Sequence, residues 1–374
     1  MDSLKNNNKI EIQKEFVKQY KNEIFPFLKG HEVLRKRLNK KCNLIIAIPL
    51  IIMALGILLT IFLKNDGYMM SSGRILFLCF SPGILVILAY FLCVNKNEES
   101  KKFALELKKS CLQKLLNAFG DITWTNNSNL IKNEELHPSE LFADFNKRTT
   151  DDEFCGTYKD INFKVCETTL LKEYNTGKNR SVMKIFSGIV FKFEVNKSVK
   201  AHTIVSTKGD LTARDNKWLW LVGTLGIIEP VLKSCEDGDY RFAIGFLVVY
   251  LIIIGAIALY KIFKKEKNEK QKIILEDVKF GKKYHVYSQD QTEARYIVTP
   301  AFMEKFLNLR TAYGAKNAKC AFYGNTVMFA ISTDKNLFEI GSLNKTLLEP
   351  ETFKKLYTEI SAIYDIIDYF KLDK

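Results

Sequence analysis

The chain has no C-x-x-C pair and only four histidines, His31, His137, His202 and His285, none at ligand spacing from another. A zinc site of the usual spacing is therefore not indicated. No G-x-x-x-x-G-K-[ST] loop occurs, and no G-x-G-x-x-G follows a strand pattern, so nucleotide binding has no support. H-E-x-x-H and G-x-S-x-G are missing too, which leaves no signature of a zinc peptidase or a serine hydrolase. From the residues alone no catalytic group, metal ligand or cofactor is assigned. Proline numbers 7 and glycine 19 in 374 residues, too few for a collagen-like or low-complexity chain. The eight cysteines are scattered, and a disulfide framework is not expected.

What the sequence does have is apolar residues, 47% of the total, and a net charge of +14. Long uncharged runs come first. Leu44–Leu63 and Ile75–Val94 are 20 residues each, and Phe242–Tyr260 is 19. At ~1.5 Å per residue, 20 residues span about 30 Å, the thickness of a bilayer's hydrocarbon core. A weaker run, Trp218–Leu232, is interrupted by Glu229-Pro230. The positive charge gathers beside these runs. Lys29–Lys41 carries six Lys and Arg against Glu32, and Lys261–Lys272 carries six Lys against two acids. The intervening loops 64–74 and 233–241 are nearly neutral. Such asymmetry sets orientation in a membrane, and it accounts for the basic balance without nucleic acid.

These readings predict an α+β membrane protein. Two transmembrane helical hairpins, 44–94 and 218–260 (a short run 218–232 and a clear one 242–260), would hold a cytoplasmic, mostly antiparallel β-sheet domain with flanking helices. A basic amphipathic arm, 1–43, precedes them, and the domain is split into 95–217 and 261–374. The N-terminus, the middle segment and the C-terminus would all face the cytoplasm from the inner cell membrane. The lipid bilayer is the expected partner, with anionic lipids at Arg35, Lys36, Arg37, Lys40 and Lys41, together with a protein partner of unknown identity.

Within the polar part, Ile12, Phe16, Tyr20 and Ile24 have helical spacing, as do Phe103, Leu107, Cys111, Leu115 and Phe119. Ile161–Val165 and Ile189–Val195 alternate like half-buried strands. Gly324-Asn325 lies between two strand patterns and predicts a two-residue hairpin. Phe353, Leu356, Ile360, Ile363, Ile367 and Phe370 make one apolar stripe on a final helix, 351–370. One segment, Ser288–Tyr296, is denser in polar groups than a plain strand needs. Asp290, Glu293, Arg295 and Tyr296 are its candidate ligand or partner residues. On an extended strand Glu293 and Arg295 share a face and can pair; on a helix they do not. Asp290 suits a turn cap, and Thr299-Pro300 suits the start of a helix.

The stretches Leu275–Phe280 and Tyr284–Met303, with Phe186–Val190, His202–Val205 and Phe154–Gly156, resemble the domain of unknown function 3137 family. The resemblance implies a bacterial membrane protein with an N-terminal transmembrane hairpin and a cytoplasmic domain, and carries over no catalytic residue. Residues 218–260 depart from the family pattern as an insertion, and Gly281 stands where an acidic residue is usual. The reading that fits best is a membrane-tethered binding or scaffold module. A membrane-bound enzyme acting on a membrane-proximal substrate is the alternative, and a transport-related protein a weaker one.

Overall fold

Apolar side chains three or four residues apart need one helical face, and Ile12, Phe16, Tyr20, Ile24 and Leu28 supply one near the start of the chain. The computed structural model describes residues 2–65, 72–126, 129–176, 179–210, 212, 248, 270–309 and 313–370. They belong to two units, Met1–Ile122 with Phe338–Ile360, and Thr123–Leu337 with Ser361–Lys374.

The first unit is helical. Helix α1 (Asp2–Gln19) runs through a wider π turn, Tyr20–Ile24, into α2 (Phe25–Asn65). Helix α3 (Ser72–Leu116) follows. Phe16, Ile24 and Leu28 are buried, as are Phe103, Leu107, Cys111, Leu115 and Phe119 of the second periodic stretch. Aromatic contacts close this core: Phe16 meets Phe119 at 5.9 Å and Tyr357 at 5.2 Å, and Tyr20 meets Phe353 at 4.3 Å. A buried ion pair fixes α2 to the segment 343–347. Glu32 accepts Nε and Nη2 of Arg35 (2.8 and 2.7 Å) and the Leu347 amide (3.1 Å), while Arg35 Nη1 donates to the Leu343 carbonyl (2.7 Å). Every strong hydrogen-bonding group of the pair thus finds a partner away from water, the condition for burying charge without a large penalty.

The expected transmembrane hairpins are corrected here. Among the described residues no helix is long and apolar enough to cross a membrane. The runs 44–63 and 75–94 are parts of α2 and α3, helices of 41 and 45 residues that also carry the charged stretches 29–41 and 96–109. A count of uncharged residues does not see that each run is one portion of a mixed helix. The runs 218–232 and 242–260 lie outside the described residues, Val248 apart. The four-crossing topology that needs both hairpins is therefore not supported among the described residues.

The second unit is built on an antiparallel sheet of seven strands: β1 (Ile122–Asn126), β2 (Lys147–Tyr158), β3 (Ile161–Thr176), β4 (Asn179–Thr207), β5 (Gln271–Ile273), β6 (Tyr284–Ser288) and β7 (Asn317–Ser332). Strand β4, 29 residues long, is its trunk. One edge pairs with β3 over residues 179–194 and with β6 over 203–207. The other edge pairs with β7 from Gly188 to Ser206. The β4–β7 register shifts between Glu194 and Val199 and again before Thr203. Gly324, with φ +53°, sits opposite Val199 at that shift. The hairpin predicted at Gly324-Asn325 is therefore a bulge inside one continuous strand: the same left-handed glycine serves either, and a partner far away in sequence decides.

Short helices α4 (Asn133–Leu136), α5 (Val278–Lys283), α6 (Gln291–Ile297) and α7 (Pro300–Asn308) accompany the sheet, and α8 (Pro350–Phe370) ends the chain's described part. One side of the sheet buries Leu141, Phe186, Val190, Ile204, Met328 and their neighbours. Elsewhere in this unit aromatic rings meet in series, with Phe329 and Phe302 each 5.0 Å from Phe370, and Tyr158 stacked on Tyr364 at 4.1 Å. In the stripe along α8, Phe353, Leu356, Ile360, Ile363 and Ile367 are buried and Phe370 half-buried.

Two predictions follow from these contacts. A Cβ on Gly188 would overlap the Ile331 carbonyl oxygen and lie 2.9 Å from the Thr333 amide nitrogen, both backbone atoms that cannot step aside. Gly188→Ala should cost about 2 kcal/mol or more in a denaturant titration of the full chain, and an unchanged midpoint would contradict the close strand approach. Arg35→Ala should cost about 3–5 kcal/mol, because it strands a buried carboxylate. The Arg35 hydrogen bonds outweigh burial and hold the Glu32 carboxyl below its ordinary pKa. A lowered folded-state pKa gives stability that is present above the ordinary carboxylate range and is lost as pH falls through the lowered value. Glu32→Gln should remove that acid-side loss from a stability-against-pH curve.

Candidate functional site

Residues 291–297 form helix α6, so Glu293 and Arg295 point about 200° apart and do not pair. Asp290 is the helix cap: its Oδ1 accepts the amides of Thr292 (2.7 Å) and Glu293 (3.2 Å). Glu293 reaches β4 and accepts two successive backbone amides, Lys200 (3.0 Å) and Ala201 (2.5 Å). These lie in the register-shifted part of β4, where the ladder leaves amides without a strand partner. A carboxylate there does for the bulge what a cap does for a helix end. Arg295 Nη2 donates to the Ile274 carbonyl at 3.2 Å. Tyr296 is 71% exposed, with Lys197 Nζ 5.1 Å from its ring centroid. The four candidates share one short helix, yet they do not converge on a pocket. Three are engaged by backbone groups and the fourth stands in solvent. Thr299 caps α7 as its spacing predicts, accepting the Phe302 amide at 3.2 Å.

A polar cluster that the sequence reading missed lies on the same sheet. Lys192 of β4 donates to Glu135 of α4 (2.5 Å), and Lys164 of β3 is 3.6 Å from the same oxygen. Burial is the largest influence and disfavours the Glu135 charge, but the Lys192 hydrogen bond, the Lys132 amide and the Lys192 and Lys164 charges together outweigh it and the pKa is lowered. His202 Nε2 lies 3.1 Å from the Ser139 carbonyl and so carries the proton. Burial first, and the Lys270 charge second, push this imidazole down to about 4, so it is neutral near pH 7. Lys270 itself pairs with Glu140 at 2.5 Å. Each charge in this cluster faces an opposite one, an arrangement that ties α4 and the segment after it to the strands. No spacing in the sequence signals it, because its members are up to 135 residues apart.

The first unit differs. On α2, Lys36, Arg37, Lys40 and Lys41 are exposed, and among the described residues none of them makes an ion pair. Arg35, grouped with them by sequence, is buried and committed to Glu32 and Leu343, so it leaves the set. Beyond the basic turn, Leu44, Ile45, Ile48, Leu50, Ile51, Ile52, Leu55 and Leu58 are all exposed. At 100° per residue they cover roughly 220° of the helix circumference. Helix α3 adds exposed Leu88, Tyr90, Phe91 and Val94. Monomeric proteins rarely expose contiguous apolar area on this scale unless something covers it. A two-stranded coiled-coil seam would need only a narrow a/d stripe, about a third of that arc.

The family model described as "Protein of unknown function (DUF3137)" matches residues 184–372. The chain belongs to this family. The match begins in β4, takes in the bulge, α6 and α7, and runs to the end of α8. No curated protein and no solved structure matches the chain.

The geometry separates the structural from the functional residues in a measurable way. Glu293→Ala should destabilise the full chain by about 1–3 kcal/mol, since it uncovers two backbone amides in a partly buried place. Arg295→Ala, which removes one long hydrogen bond at the surface, should shift stability by less than about 0.5 kcal/mol. Equal, small effects on thermal melting would mean that Glu293 is not holding the bulge.

Proposed function

We propose that this protein is a non-catalytic binding or scaffold module, held on the anionic lipid surface of the inner cell membrane, on its cytoplasmic side, through α2 and α3. The observation that carries the reading is the pairing, on one helix, of four exposed cations with an exposed apolar arc of about 220°. Cations at headgroup level attract anionic phospholipid, and the aliphatic arc next to them gives up water on contact with lipid. The sheet unit is the part that meets a protein partner. Against an enzyme stands the fate of Asp290, Glu293 and Arg295, which are engaged with backbone groups rather than gathered round a cleft.

Flotation of the full chain with vesicles tests this. It should rise with vesicles of phosphatidylcholine plus phosphatidylglycerol, rise less with phosphatidylcholine alone, and weaken as salt screens the charges. Replacing Lys36, Arg37, Lys40 and Lys41 together by Glu should lower flotation on the anionic vesicles at least tenfold. A full chain that stays at the bottom of the gradient with anionic vesicles at low salt contradicts the proposal.

A further inference from the structure

The basic turn of α2 is not uniform. An open cavity of ≈ 450 Å³ lies against it, lined by Arg35, Lys36, Asn39, Lys40, Asn43 and Leu44, with Ala47 one turn further on. Arg37 and Lys41 do not reach it. Lys36 and Lys40 are four residues apart, so their Cβ atoms are about 6 Å apart and their charges repel. A third ammonium stands close by, because Lys96 of α3 donates to Asn43 Oδ1 at 2.7 Å. The Arg35 charge behind them is already balanced by Glu32. Glu32 also feels the Lys36 charge, but a single carboxylate faces Arg35, Lys36, Lys40 and Lys96, so among the described residues this shallow, open groove keeps a net positive charge. Its lining runs from cations through two asparagines to Leu44 and Ala47, the polarity order of a phospholipid from headgroup to acyl chain.

From this geometry we infer that the cavity is a headgroup site for a phospholipid bearing two phosphates, a cardiolipin-type lipid, and that Lys36 and Lys40 take one phosphate each. A single phosphodiester can bridge the two lysines but brings only one negative charge to two ammonium groups. Two phosphates on one glycerol relieve both, and Lys96 adds a third donor. The inference rests on the lipid-surface reading above, and it goes further by assigning a lipid class to a particular pair of residues.

The test uses the full chain and two vesicle series in phosphatidylcholine, one with phosphatidylglycerol and one with cardiolipin, matched for total phosphate charge. The lipid concentration at half-maximal binding is read for each. Wild-type protein should reach half-saturation at a roughly tenfold lower concentration on cardiolipin. The K36Q/K40Q variant should lose that preference while still binding both series. The R37Q/K41Q variant should weaken on both series by the same factor and keep the preference, at roughly fivefold per cation removed. Equal wild-type binding to the two series overturns the site and leaves the lipid-surface reading standing. So does a K36Q/K40Q variant that keeps the preference. Failure of wild-type protein to bind either series overturns both.

Discussion

The buried pair between Glu32 and Arg35 sets the terms for the helical unit. Glu32 is the only carboxylate in α2, from Phe25 to Asn65. It serves two guanidinium nitrogens and the Leu347 amide at once, and so fixes α2 against the segment that precedes α8. One acid used in this way also feels Lys36 but cannot neutralise four cations in the turns that follow. Lys36, Arg37, Lys40 and Lys41 are left facing outward, beside aliphatic side chains that are exposed. The fold of the unit and its proposed contact with lipid thus have one origin. The residue that holds the helix in place is also the one whose absence from the surface leaves that surface cationic.

A similar economy governs the sheet unit. Strand β4 pairs with three neighbours, and its register shifts where β3 gives way to β6. A shift in a ladder leaves backbone amides to be satisfied by something else. Glu293 supplies two acceptors there, and Asp290 caps the short helix that delivers it. The matched family region contains the bulge, its glycine at 324, and both carboxylates. The polar richness of residues 288–296 is then the chemistry of holding a bent sheet together.

Part of this was legible in the sequence. The stripe along α8, the strands near Ile161–Val165 and Ile189–Val195, and the Thr299-Pro300 helix start all follow from local spacing and capping, which are properties of a few adjacent residues. What was not legible depends on distant partners. Gly324-Asn325 reads as a turn until β4 is known to run past it. Glu293 and Arg295 read as a same-face pair only if the segment is extended. The Lys192–Glu135 and Lys270–Glu140 pairs join residues with no pattern between them. Arg35 looks like one more surface cation, although Glu32 three residues earlier is the spacing of a helical ion pair and was there to be read. The membrane hairpins were read from run length, and run length takes no account of the charged helical turns continuous with each run.

The central claim is that the lipid contact belongs to α2 and α3 alone. Hydrogen exchange of the full chain, with and without vesicles containing anionic lipid, tests it most directly. Added vesicles should slow exchange along α2 from Lys36 through Leu58 and in α3 near Leu88–Val94, and leave β3, β4 and β7 unchanged. Protection appearing on the sheet strands instead, with α2 unaffected, would contradict the account.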